Sequence, residues 1–210
     1  MSIRPLFIAF EGIDGSGKST QVKLLAEKLQ SVGHRVYNTF EPTDSPIGSL
    51  IRNIFKGRLK TDHQTIAALH VADRLDHLHN DVNGMIGKMN QGFTVITDRY
   101  YFSSYAYHGV HVDMDWVIAS NALSANQLKP DVHFFIDVDP YISIKRIHDT
   151  RGTVELYETL DNLQSVKAKY LEAFEKLKGS ENVVFINGNQ SVAAIADDIW
   201  KGVERLVEKG

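Results

Sequence analysis

The run Gly12-Ile13-Asp14-Gly15-Ser16-Gly17-Lys18-Ser19 fits the pattern G-x-x-x-x-G-K-[ST]. Glycines at these spacings let the backbone turn so that several N–H groups converge on one concavity, and a helix start adds its positive end. Lys18 is then expected to reach the β- and γ-phosphates of a nucleoside triphosphate, and the Ser19 hydroxyl to bind Mg²⁺, with Thr20 beside it. A second chemical pair stands at Asp98-Arg99, just after the apolar run Phe93–Thr97. A carboxylate at a strand end can hold a Mg²⁺-bound water, and a guanidinium can grip a phosphate with two parallel hydrogen bonds. A plain strand-end salt bridge is the competing explanation. Phosphoryl transfer brings two anions together, so further arginines are needed, and Arg52, Arg74, Arg146 and Arg151 are the supply.

The elements that must position these groups alternate. Leu6–Phe10 is a short apolar strand ahead of the glycine loop, and Lys18–Val32 sets Val22, Leu25, Ala26 and Leu29 on one helical face before Gly33. His34–Phe40 reads as a strand. Pro46–Lys56 and Thr61–Asn90 carry helical patterns, the longer one divided near Gly84 and Gly87. Phe93–Thr97, Val132–Val138 and Val183–Asn187 complete five strands, with Pro140 placed for a first helical turn. Val192, Ile195, Ile199, Val203 and Leu206 space a final helix. This order predicts an α/β fold of P-loop type, a five-stranded parallel sheet with helices on both faces. Asp149–Lys178 breaks the alternation with a polar loop and a helix. Its loop, about residues 149–160, is either a surface connection or a mobile lid.

Bulk properties narrow the function. The chain has 210 residues, 43% of them hydrophobic, enough for one nucleotide-handling domain spanning 1–210. Its net charge of −3 argues against a general affinity for nucleic acid or anionic membrane. With 0 cysteines there are no disulfides or Cys-ligated zinc, in keeping with a reducing cytoplasm. No apolar run suits a signal peptide or a membrane span. Nine histidines are present, but none is spaced as a zinc site; His77 and His79 would point to different helix faces.

Three segments together resemble the thymidylate kinase family: Phe10–Thr20 with the acidic residue Asp14, Asp98-Arg-Tyr-Tyr-Phe-Ser-Ser-Tyr-Ala-Tyr-His-Gly109, and Pro130–Pro140. The likeness runs essentially from end to end, and the middle segment is the most specific. It implies ATP and dTMP as substrates, Mg²⁺ as cofactor and a homodimer. It also implies roles. Asp14 would take the deoxyribose 3′-hydroxyl, while Tyr107 would fill the space a ribose 2′-hydroxyl needs. Arg99 and Arg52 would hold the monophosphate and Arg74 would donate to thymine O4. Ser103 and Ser104 would line the base and phosphate end. Arg151 would fold onto the transferring phosphoryl group, Glu158 would sit near sugar or metal, and Arg146 would pack near adenine.

Departures from the family pattern redirect some of these roles. His70 stands where phenylalanine usually stacks on the base, and His108 where glutamine is usual. Gly15 occupies a position that is arginine in some members, and Leu156 one that is often arginine. The catalytic arginine is therefore expected from the lid, as Arg151, acting with Lys18 and Arg99. Two rivals stay open. A P-loop switch would carry an Asn-Lys-x-Asp guanine-reading motif, which is absent. A deoxynucleoside kinase would need a carboxylate base at the acceptor hydroxyl, with Glu41 the candidate; a monophosphate kinase with another base preference is the third possibility.

Overall fold

The computed structural model describes residues 3–150, without the side chain of Thr150, and residues 156–207. Five parallel strands form one sheet in the order β2-β3-β1-β4-β5, where β1 is Phe7–Glu11, β2 Val36–Phe40, β3 Thr94–Asp98, β4 Val132–Asp137 and β5 Val183–Asn187. β1 lies at the centre and is buried throughout. Phe7 and Ala9 face one apolar layer; Ile8 and Phe10 face the other. A strand covered on both sides reads as a continuous apolar run, which is why its period-2 signal is missing.

Helices α1 (Lys18–Ser31) and α9 (Val192–Val207) cover one face through Val22, Leu25, Leu29, Ile195, Ile199 and Val203. The opposite face carries α3 (His63–His79), α4 (Met85–Asn90), α5 (Tyr101–His108), α6 (Met114–Gln127) and α8 (Leu160–Lys176). α2 (Pro46–Phe55) packs against α3, and α7 (Pro140–Thr150) against α8. Local chemistry sets the helix starts. Ser45 caps α2 by accepting from the Gly48 N–H at 3.1 Å, with Pro46 in the first turn, and Asp62 caps α3 from the Thr65 N–H at 2.9 Å. Among the described residues no helix is long and apolar enough to cross a membrane.

The strand expected over His34–Phe40 begins at Val36, because the His34 backbone N–H is taken by the Leu29 carbonyl of α1 at 3.0 Å instead of joining the ladder. Helices α5 and α6 have no counterpart in the sequence reading. All eight residues of α5 are buried, so no polar stripe marks it as a helix. The helical pattern over residues 61–90 does divide, at Asn80–Gly84.

The sheet order explains where the site must lie. β1 connects to β3 on one side and β4 on the other, so a crevice opens past the carboxyl end of the central strand. Phe10 pairs in register with Asp98, which sets the glycine loop after β1 directly beside Asp98-Arg99 after β3.

Candidate active site

The glycine loop leaves β1 in conformations that favour glycine. Gly12 has φ 142° and Gly15 φ 75°. A Cβ at Gly15 would also stand 2.6 Å from the Ser143 carbonyl oxygen, since α7 packs onto the loop and the Ser143 hydroxyl donates to the Asp14 carbonyl. Gly15 is therefore held to glycine by backbone as well as space, and a side chain here would not fit. Ile13 is buried against the core and Ser16 is enclosed. Lys18 turns into the loop, donating to the Gly12 and Ile13 carbonyls at 3.1 and 3.0 Å and to Ser16 Oγ at 3.3 Å. Burial, then the nearby Arg99 charge, pulls the Lys18 ammonium down to about 8.

Ser19 and Asp98 meet at the mouth of this loop, Ser19 Oγ donating to Asp98 Oδ2 at 2.6 Å. The other carboxylate oxygen, Asp98 Oδ1, is buried without a hydrogen-bond partner among the described residues. An all-oxygen donor pair with one unsatisfied carboxylate oxygen suits a hard cation such as Mg²⁺, which keeps several waters and takes few protein ligands. Among the described residues no cluster of three or more His, Cys, Asp or Glu side chains could hold a metal by itself.

Arg99 links the two halves of the site. It has a positive φ of 75°, uncommon for a non-glycine residue, and its N–H bonds the Phe10 carbonyl at 2.8 Å. Its guanidinium spans the crevice: Nη2 donates to Asp14 Oδ1 at 2.5 Å and to the Tyr107 hydroxyl at 3.3 Å. Nη1 donates to the Gly12 carbonyl at 3.3 Å and to Ser103 Oγ at 3.2 Å. The Tyr107 hydroxyl in turn donates to Asp14 Oδ2 at 2.7 Å and accepts from the Asp14 N–H at 3.0 Å. Burial would raise the Asp14 carboxyl, but the Arg99 and Lys18 charges outweigh it and hold the group below its usual value. Asp14 is thus an anion at neutral pH.

A pocket opens beyond Arg99, lined at one end by Asp14, Arg99, Ser103 and Tyr107 and at the other by Glu41, His70, Arg74, Ser104 and His108. Arg52, Phe40, Pro42, Phe55, Tyr157 and Glu158 form its remaining walls. The sequence-derived acceptor residues are therefore brought together from α2, α3, α5 and the segment before α8. Arg52 is held at the rim: it donates to the Pro42 carbonyl at 2.9 Å and to the Thr43 carbonyl, and lies 3.3 Å from Asp44. The His70 and His108 rings are tilted by 56°, with centroids 4.7 Å apart and Phe55 5.8 Å from His70. Burial, followed by the neighbouring cations, lowers His108 to about 3 and lowers His70 well below its ordinary value, so both rings are neutral. His70 Nε2 and His108 Nδ1 are buried without partners among the described residues.

Arg74 is less a free donor than its expected role suggests. It is 1% exposed, and Nε and Nη2 both donate to Glu41, Nη2–Oε2 being 2.5 Å. Nη1 donates to Ser104 Oγ at 3.1 Å and to the Asn121 side-chain oxygen. These bonds occupy four of the five guanidinium N–H groups. Glu41 Oε1 also lies 3.1 Å from His77 Nδ1. Burial would raise Glu41, but Arg74 and His77 outweigh it and keep it below the usual carboxylate range. That makes Glu41 a weak base.

Arg146 on α7 donates to the Gly188 carbonyl, just after β5, at 3.2 Å. Gly17 and Thr20 are exposed at the start of α1. Glu158 is 3% exposed and lies in the pocket wall. Arg151 lies outside the described residues.

Several residues of this site escape a sequence reading. Ser143 supports the loop from α7, Tyr157 packs 5.4 Å from Phe55 across the pocket, and Glu11 is wholly buried beneath the loop. An acid closing an otherwise apolar strand was the available signal for Glu11. Its carboxyl is raised to about 7 by burial, against hydrogen bonds and charges that lower it, Ser103 and Arg99 the largest.

A family model described as thymidylate kinase matches residues 10–199. Similar proteins include one described as a probable thymidylate kinase from Methanocaldococcus jannaschii, 39% identical over 172 residues, covering 81% of this chain and 82% of that protein. Another of the same description, from Pyrobaculum aerophilum, is 37% identical over 202 residues, with 96% and 97% covered. One from Thermococcus kodakarensis is 34% identical over 214 residues, with 96% and 98% covered.

Proposed function

Because this chain belongs to the thymidylate kinase family, with its phosphotransfer activity and use of Mg²⁺ and ATP, we propose that it converts dTMP to dTDP with ATP as donor. The observation that carries this reading is the Arg99–Asp14–Tyr107 contact, which joins a guanidinium, a carboxylate of the glycine loop and a phenol hydroxyl in one group.

In this reading ATP lies along residues 12–20, with Arg146 near adenine. Lys18 leaves the loop carbonyls for the β- and γ-phosphates, whose charge raises its depressed pKa. Mg²⁺, held by Ser19 and through water by Asp98, neutralises charge on the donor phosphates. Arg99 and Arg52 hold the acceptor phosphate in line. Asp14 accepts the 3′-hydroxyl, and Tyr107 fills the 2′ side. At the base end, the remaining Arg74 N–H faces O4, while His70, His108 and Ser104 bound the ring and Ser103 lines the phosphate end. The loop of about residues 149–160 closes as a lid within a single domain, bringing Arg151 over the transferring group, while Glu158 in the pocket wall serves the sugar; water is excluded, which would otherwise compete as acceptor. Positioning and charge neutralisation supply the acceleration, since an acceptor phosphate is already anionic. The protein acts as a homodimer in the cytoplasm.

The rival nucleoside-kinase reading needs Glu41 to take a proton from a hydroxyl. Its ion pair with Arg74 argues against that task. The test is a coupled ADP-release assay with dTMP, dUMP, dCMP, UMP, AMP and thymidine as acceptors. Preference for dTMP is expected; turnover of thymidine but not of dTMP would overturn the reading.

A further inference from the structure

Glu11 is the last residue of the central strand and is 0% exposed. Burying a carboxylate costs several kcal/mol after relaxation, so its retention calls for a use. Its contacts are directional. Oε1 accepts from the Tyr100 N–H at 3.0 Å. Oε2 accepts from Ser103 Oγ at 2.6 Å and from the Tyr170 hydroxyl at 3.0 Å.

Ser103 is the junction. A hydroxyl has one proton and two lone pairs. An ionised carboxylate can only accept, so it draws the Ser103 proton toward itself. The lone pairs are thereby turned outward, where Arg99 Nη1 donates to Ser103 Oγ at 3.2 Å. Tyr170, 2.8 Å from Ser103 and 3.4 Å from the Gly12 carbonyl, closes the group from α8. The cations in the field of Glu11 are Arg99 and Lys18.

We propose that Glu11 is a positioning residue: acting through Ser103, it fixes the orientation of the Arg99 guanidinium and so sets affinity for the acceptor's phosphate without serving the donor nucleotide. This rests on the reading above that Arg99 holds the acceptor monophosphate. The chemical logic is one of hydrogen-bond polarity. In Glu11→Gln the shape is kept, but the new amide N–H groups donate to Ser103 Oγ and compete with Arg99 for its lone pairs.

Equilibrium titrations of dTMP and of Mg·ATP into the wild type, Glu11→Gln, Arg99→Ala and the double variant at pH 8 test this. Glu11→Gln is expected to weaken dTMP binding about tenfold, the scale of one hydrogen bond to a charged group, and ATP binding less than about twofold. On the Arg99→Ala background the Glu11 change should add less than about twofold, because the group it acts through is gone. Equal losses for both nucleotides, or a dTMP loss that persists without Arg99, overturn the proposal. If Glu11→Gln does not fold, Ser103→Ala takes its place with the same expected pattern and the same refuting one. A wild type that binds no dTMP overturns the acceptor-site reading and this proposal together. Normal dTMP phosphorylation with an insensitive Glu11 variant overturns this proposal alone.

Discussion

Replacing Arg74 with methionine separates two roles that its position combines. The side chain joins Glu41 after β2, Ser104 on α5 and Asn121 on α6, and its guanidinium carbon lies 5.4 Å from the Tyr100 ring centroid. Both members of the Arg74–Glu41 pair are almost fully enclosed, with side chains 1% and 3% exposed. Removing the arginine leaves a buried carboxylate facing only His77, a break that costs about 3–5 kcal/mol. In a domain of this size each kcal/mol lowers the melting temperature by about 2–4 °C, so a drop of about 6–20 °C is expected. Thermal melts followed by circular dichroism at pH 7.5 measure it. The double variant Arg74→Met, Glu41→Gln removes the stranded charge and should recover at least about half of the loss. Acid should narrow the gap as well. Glu41 in the wild type is held below its ordinary 4.5, so its stabilisation is present above that pH and is lost as pH falls through the folded value. A melting shift under about 3 °C for Arg74→Met would refute the network as a structural tie and leave Arg74 a simple pocket donor.

Lys18→Ala should reduce turnover by about 10²-fold or more, the loss expected for a charged transition-state contact. Because burial and Arg99 depress the Lys18 ammonium to about 8, the free protein loses that charge above this pH while bound phosphates restore it. ATP affinity should therefore fall as pH rises through about 8, with proton uptake on binding; calorimetry in two buffers of different ionisation heat that finds no uptake at pH 8.5 would contradict this. Tyr107→Ala should raise the use of ribonucleotide acceptors relative to deoxyribonucleotides in the coupled assay, and an unchanged UMP-to-dUMP ratio would remove Tyr107 from sugar selection. His108 is lowered to about 3 by burial and nearby cations, so it does not titrate in the working range. His108→Gln should change the KM for dTMP but leave the shape of its pH profile superimposable on that of the wild type, and a displaced inflection would show the imidazole to be ionising.

What the sequence disclosed follows from how locally each feature is specified. The glycine loop is legible because its chemistry lies in consecutive residues with a strand before and a helix after. Asp98-Arg99 could be read as a strand end, but its partnership with the loop needed the Phe10–Asp98 register, a property of the sheet. α5 stayed hidden because Tyr101–His108 is buried on every side, leaving no contrast for helical periodicity to act on. The pocket beyond Arg99 gathers Glu41, Phe55, Arg74 and Tyr157 from distant segments, and nothing in their spacing marks them as neighbours. His70 and His108 were reached through family resemblance, not through pattern.

The sequence reading fails most where charge goes inside. A Glu or Arg in a chain is taken for solvated surface, since charged side chains are rarely buried unless paired. Here Glu11, Glu41 and Arg74 are each at most 5% exposed, and all three lie within one or two contacts of the phosphate- and base-facing groups. Each is enclosed at an energetic cost that apolar side chains of similar size would avoid. Their common feature is an acceptor or donor of set polarity: Glu11, once ionised above its raised value of about 7, accepts from Ser103 and Tyr170, and Arg74 can only donate to Glu41, Ser104 and Asn121. Fixed polarity orients hydroxyls and guanidinium groups in a way that adaptable partners cannot. The interior charges of this sheet edge are thus best understood as the supports that hold the site's donors and acceptors in register before either nucleotide arrives.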